Sequence, residues 1–257
     1  MNLPVEVIGA VQENRCLIFV GSRFAAEARE LAGVVSHTGR EVAKELGWKK
    51  ARGAPGRRQG PVTPSVAEGA AAREASGGRD AMLVELEALA GAAGVQPTTA
   101  HGFVVDHFDK VFTTALDGLL EAAAADRGRD FTAVGPGEPM VDGPILVRMR
   151  GSFSSHPIVT PADLGSVGWD DATKSQVRSL IRSHVVLFVG YRPDEEEFEL
   201  LFDQLADAYR AELPRCHLAV AQGRIEDYQW QRWVWRGLLL FTADPTECMD
   251  ALAEKQK

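Results

Sequence analysis

Cysteine is scarce in this chain, and its absences narrow the field. Only Cys16, Cys216 and Cys248 occur among 257 residues, far apart and without a C-x-x-C pair. That excludes a disulfide framework and a cysteine-built zinc site. Cys16 and Cys216 stand beside apolar runs, where a buried structural thiol is the expected role. No apolar run reaches the length of a membrane span, and Met1 to Gln12 lacks a basic region followed by an apolar core. A cytoplasmic chain that does not enter a membrane is therefore expected. The patterns G-x-x-x-x-G-K-[ST], G-x-S-x-G, H-E-x-x-H and H-x-x-E-H are all missing, so neither a P-loop, a nucleophile elbow nor a zinc-peptidase helix is indicated. The densest set of metal-ligand types is His101 and His107 with Asp106 and Asp109. It reads as a loop-to-helix surface, and no metal is expected. With 28 basic against 36 acidic residues and a net charge of −8, the chain is poorly suited to nucleic acid as a partner.

What is present reads as an α/β protein. Cys16–Val20 and His184–Val189 are continuous apolar runs, each closed by glycine (Gly21, Gly190), the pattern of parallel strands buried on both faces. Further strands are expected at Val111–Thr114, Phe131–Val134, Ile145–Met149, Cys216–Val220 and Leu238–Phe241. Between them lie helical spacings: Arg23–Leu46, the stretch from Ala81 onward, Ala172–Arg182, Glu195–Tyr209, Tyr228–Arg236 and Pro245–Leu252. Strands alternating with helices predict a doubly wound, mainly parallel sheet of Rossmann type in a single domain spanning 1–257. Residues 47–80 differ, with nine glycines or prolines from Gly53 to Gly78 and seven basic side chains, Lys49 and Arg58 among them. They read as an irregular insertion or mobile loop, with a basic cluster able to meet phosphates or an acidic partner. Trp230, Trp233 and Trp235, with Tyr228, suit either a stacking or interface surface or, as the preferred reading, packing of Trp230, Trp233 and Leu238 on the sheet.

The most informative stretch is Phe112-Thr113-Thr114-Ala115-Leu116-Asp117-Gly118-Leu119-Leu120-Glu121. A strand stops at small polar residues, and Asp117 is placed to cap the helix that follows. Ligands of open α/β sheets bind at such strand ends.

This stretch resembles the "T-T-N-x-D-x-L-L-E" signature of sirtuin-like domains, and three others follow the family's order. Leu17–Gly21 with Ser22-Arg23-Phe24-Ala25 resembles its apolar strand and "G-A-G-x-S" loop. Val147-Arg148-Met149-Arg150-Gly151-Ser152 resembles the strand leading into "H-G-S", and Leu187–Tyr191 resembles "F-V-G-Y". The resemblance implies a cleft for NAD or a related ADP-ribose nucleotide, formed by Gly21, Ser22, Arg23, Thr114, Asp117, Gly151, Ser152 and Gly190. It also implies lost chemistry. Ala115 stands where the family keeps a catalytic asparagine, and Arg150 where it keeps a general-base histidine. A guanidinium stays protonated near neutral pH and cannot take a proton. Arg23 replaces a loop glycine that lets backbone approach the pyrophosphate, and Ala25 replaces a serine. A non-catalytic domain is expected, binding a nucleotide or a protein partner or forming a homo-oligomer, and the resemblance points to bacterial defence systems. The alternatives are an active NAD glycohydrolase with Asp117 and His156 as substitute catalytic groups, or a purely structural assembly protein. Arg23 and Arg150 facing an emptied site also suit another anion, such as ADP-ribose or a cyclic nucleotide.

Overall fold

A computed structural model describes residues 3–32, 66–90, 94–153, 157–160, 162–163, 171–193, 196–209, 216–220 and 227–256. In chain order the elements are α1 (Val5–Gln12), β1 (Cys16–Val20), a 3-10 turn (Ser22–Ala25), α2 (Ala26–Leu31), α3 (Val66–Gly77), α4 (Arg79–Ala90), α5 (Thr99–His107), β2 (Lys110–Thr113), α6 (Leu119–Asp126), β3 (Thr132–Val134), β4 (Ile145–Arg148), α7 (Asp171–Ser183), β5 (Val185–Val189), α8 (Glu196–Tyr209), β6 (Cys216–Val220), α9 (Asp227–Trp235), β7 (Leu238–Thr242) and α10 (Pro245–Lys255).

The strands form one seven-stranded sheet in the order β3-β4-β2-β1-β5-β6-β7, and every pairing is parallel. Alternation along the central strands divides the apolar residues between two faces. Ile18, Val20, Val111, Leu146, Leu187 and Val189 pack beneath α1, α5, α6 and α10. Leu17, Phe19, Phe112, Val147 and Phe188 pack beneath α7, α8 and α9. Register brings Phe19 opposite both Phe112 and Phe188, with ring centroids 4.6 and 5.0 Å apart. Because both faces are covered, strand sequences need no polar alternation, and that is why the central runs are uniformly apolar. The last helix begins at a reciprocal cap, Asp244 accepting from the Glu247 amide at 2.8 Å with Pro245 in the first helical position.

Three expectations change. Residues 66–77 are helical rather than irregular, because Ala67, Ala70, Ala71, Ala72 and Ala75 outweigh a single internal glycine. Residues 47–65 lie outside the described residues. The α3–α4 pair buries Ala70, Met82 and Leu86 against Val159, and Arg73 bridges to Glu85 at 2.5 Å. The helix expected from Arg23 begins with the 3-10 turn and continues as α2 to Leu31; residues 33–46 are not described. Trp233 and Leu238 are buried as expected, but Trp230 is exposed. Among the described residues no helix is long and apolar enough to cross a membrane.

Candidate functional site

The chain runs outward from β1 through β2 to the edge strand β3, steps back to β4, then crosses to place β5 on the other side of β1. Ligands of such sheets bind at this reversal, outside the carboxyl ends of the strands. Here the loops after β1 and β5 are joined by main chain. The Gly21 amide donates to Val189 O at 2.8 Å and the Arg23 amide to Gly190 O at 3.1 Å, while Phe24 N–H turns back to Gly21 O at 3.0 Å. A Cβ on Gly21 would stand 2.4 Å from Gly190 O. Gly190 adopts φ +77°, and a Cβ there would stand 2.6 Å from Phe24 N. Both glycines are thus required by the approach of the two loops to each other.

Beside them, β2 ends in hydroxyls that tie strands together. Thr113 Oγ1 donates to Val20 O and accepts from the Ala115 amide, each at 3.0 Å. Thr114 Oγ1 donates to the buried Tyr191 hydroxyl at 3.1 Å. Ala115 is buried. Asp117 Oδ1 accepts from Leu119 N–H at 3.3 Å, just ahead of α6, and its Oδ2 lies 3.5 Å from Arg29 Nη2. The expected cap at Asp117 shifts by one residue: Gly118 occupies the N-cap position, and Asp117, just before it, reaches the first helical amide from outside.

At the centre lies a residue to which the sequence reading assigned no role. Arg148, only 7% exposed at the end of β4, donates to Asp117 O at 2.7 Å, Ala115 O at 3.3 Å and Gly151 O at 3.5 Å. Its Nε also donates to the Glu121 carboxylate. Five N–H donors on a rigid plane suit a guanidinium to this convergence of carbonyls. The other Glu121 oxygen, Oε2, is buried without a hydrogen-bond partner among the described residues. A charged residue ending an apolar strand (Ile145–Val147) was the available signal, since burial there demands partners.

Arg150 follows on the turn through Gly151. Its Nε donates to Ile158 O at 2.9 Å, and Ile158 N–H donates back to Arg150 O at 2.9 Å. Ser152 is half-buried beside it. His156, the proposed substitute acid–base group, lies outside the described residues. The adjoining segment is pinned by Asp163, which accepts from the Val159 and Thr160 amides and from Arg79 at 3.0–3.2 Å. Partial burial raises the Asp163 pKa. The Thr160 and Val159 amides, the Thr160 hydroxyl and the Arg79 charge outweigh that and hold it below the usual carboxylate range.

His101 is a correction to the surface reading: it is 2% exposed in the first turn of α5. Its Nδ1 accepts from Thr98 N–H at 3.2 Å and its ring meets Phe24 edge-on at 4.9 Å. Burial pushes it down to about 4, so it is neutral near pH 7. Among the described residues no group of three His, Cys, Asp or Glu side chains is placed to hold a metal. Cys16 and Cys248 are buried free thiols, and burial raises the pKa of both, Cys248 to about 12.

A family model for a SIR2-like domain matches residues 109–238, half of the chain. The chain belongs to the SIR2-like domain family. No curated protein matches it. Among solved structures it is similar to one described as a crystal structure of a Sir2 homolog–NAD complex. The two are 12% identical, the likeness covers 98% of this chain and 93% of that one, and the TM-score is 0.50. At that identity the likeness speaks to fold alone. Within this SIR2-like domain the matched span holds the Thr113–Glu121 stretch, the Arg148–Ser152 turn and the Gly190 loop. The Gly21 loop precedes it and is placed by the pairing of β1 with β5.

Proposed function

We propose that this chain is a single non-catalytic SIR2-like domain that acts by binding, and that a nucleotide of the ADP-ribose class is its ligand at the crevice. The observation that carries the reading is the state of the two positions from which the resemblance expects chemistry. Ala115 offers a methyl group, with its amide held by Thr113 and its carbonyl by Arg148. Arg150 offers a guanidinium anchored on Ile158 O. The methyl group cannot hold a water or a ribose hydroxyl, and the guanidinium cannot serve as a general base. Asp117, the other substitute, is engaged by Arg29 and the start of α6, which favours a structural role over stabilising a ribosyl cation.

The fit of an NAD pyrophosphate is poor where the resemblance would put it. The amides of Gly21, Arg23 and Phe24 are taken up by the β5 loop and by the turn itself, so they do not form an anion cradle. A nucleotide would instead be held by side chains, Ser22, Arg23 and Ser152 among them. The same closure favours the second reading, a cytoplasmic protein partner in the bacterial defence setting that the resemblance implies.

Ligand-observed proton NMR of NAD with the purified chain tests both. The expected result is no growth of free nicotinamide over hours, with saturation transfer to the adenine protons. Nicotinamide release absent from a heat-inactivated control would overturn the non-catalytic reading. A silent spectrum without transfer would remove the nucleotide and leave the protein partner.

A further inference from the structure

A small apolar cluster stands apart from the two that flank the sheet. It buries Ala70 of α3, Met82 and Leu86 of α4, and Val159, with Leu116 and Phe153 packed against it. Val159, Leu116 and Phe153 all lie in loops, outside every strand and helix. Leu116 stands between Ala115 and Asp117 after β2, and Phe153 follows Ser152 after β4. The α3–α4 hairpin therefore rests on the loops that carry the candidate site residues of these two strand ends.

Within itself the hairpin is firmly tied. Arg73 donates to both Glu85 oxygens, at 2.6 and 2.5 Å, which holds the two helices side by side about the turn at Gly78. At that turn Arg79 fastens the hairpin to the body. Its Nη1 donates to both Asp163 oxygens at 3.2 Å, and its Nη2 to Pro157 O at 2.8 Å and Asp163 Oδ2 at 3.2 Å. Asp163 is itself oriented by the Val159 and Thr160 amides at 3.1 and 3.0 Å. The clasp and the apolar seat at Val159 are thus built on one turn, and breaking the first loosens the second. Each helix has 12 residues and is about 18 Å long. The hairpin begins at Val66 and ends at Ala90, a helix length away from Arg79. It is a lever joined to the chain at its base and clasped at its tip. A unit with strong internal ties and few buried apolar contacts to its surroundings is one that opens well below the free energy of global unfolding.

We propose that the α3–α4 hairpin is a cap that lifts as a unit from the β2 and β4 loops, and that the Arg79–Asp163 clasp sets how often it does so. With the cap down, Leu116 and Phe153 are held, and with them the turns at Ala115–Asp117 and Arg150–Ser152. With the cap up, both turns are open to exchange a ligand. The motion is independent of what binds; its effect on a ligand rests on the nucleotide reading of the crevice.

Hydrogen–deuterium exchange of the full chain, read by mass spectrometry, tests the cap without any ligand. In Arg79→Met and in Asp163→Asn, peptides covering Leu116 and Phe153 are expected to exchange at least about tenfold faster. Peptides within α3, α4, β1 and β5 are expected to keep their wild-type rates, because the hairpin moves whole and the sheet stays folded. Unchanged exchange at Leu116 and Phe153 in both variants would overturn the proposal. So would equal acceleration within α3 and α4, the sign of a hairpin that unfolds rather than lifts. Binding kinetics of ADP-ribose then test the gate. Association and dissociation are both expected to quicken severalfold in Arg79→Met, with their ratio little changed. A changed affinity at an unchanged dissociation rate would overturn the gating role. Binding by neither chain would remove the nucleotide and leave the exchange result to decide the cap.

Discussion

The Arg148 guanidinium donates to the main-chain oxygen of Asp117 at 2.7 Å, tying the end of β4 to the loop that leads into α6. The same group holds Ala115 O and the Glu121 carboxylate, so one buried charge sets the conformation of the whole turn. Replacing it leaves Glu121 and three carbonyls without their donor. Arg148→Met is expected to cost roughly 2–3 kcal/mol, below the range for a fully buried pair because Glu121 is partly exposed. Arg148→Met combined with Glu121→Leu is expected to recover part of that loss. Urea denaturation of the two variants checks the difference.

Restoring the side chains that the resemblance implies is expected not to restore activity. In Ala115→Asn combined with Arg150→His, the carbonyls of residues 115 and 117 are still held by Arg148 and the Gly21 loop is still joined to Gly190. Catalysis needs the groups and their placement together. Nicotinamide release indistinguishable from the parent chain is the expected result in a single-turnover assay with enzyme in excess. Robust release would show that the two side chains were the whole deficit.

Much of the fold was readable because its strands are buried on both faces. Cys16–Val20 and Val185–Val189 are apolar throughout, and their closing glycines mark the loops that meet at the sheet reversal. The site was less readable, because its organiser works through tertiary contacts. Nothing local to Arg148 tells that Ala115, Asp117, Gly151 and Glu121 converge on it. Nothing in the sequence around Gly21 and Gly190 tells that the space beside each is filled by the other's loop. Composition misled at α3, where glycines and prolines nearby concealed an alanine-rich helix. A single histidine such as His101 carries no sequence sign of its burial.

The contact between the loops predicts strong intolerance. Gly21→Ala would place its methyl carbon 2.4 Å from Gly190 O, and Gly190→Ala would add left-handed strain at φ +77° to a 2.6 Å approach to Phe24 N. Each is expected to cost roughly 2 kcal/mol or more, lowering the melting temperature by roughly 4–8 °C. Differential scanning calorimetry provides the check. Gly118→Ala, at a glycine with nothing within 4 Å, serves as the tolerant comparison.

His101 predicts a pH dependence of definite sign. Its pKa is about 4 in the folded chain against an ordinary 6.5, so between those values the unfolded chain binds the proton more readily. The neutral form's contribution is complete above pH 6.5, declines as pH falls, and is gone below about 4. The loss across that window is expected to reach roughly 2–3 kcal/mol. His101→Gln is expected to be less stable at pH 7 but to have a flatter profile from pH 6.5 to 4.5, measured by denaturant titration at each pH.

The meeting of Gly21 and Gly190 also bears on how this crevice can change over time. Its floor is main chain on both sides, so no substitution can enlarge it and almost any will break it. Variation that preserves the fold is confined to the rim, to Ser22, Arg23, Arg29 and the turn from Arg150 to Ser152. A lineage carrying this scaffold can change what these strand ends present only by rewriting those side chains, over a base that stays the same.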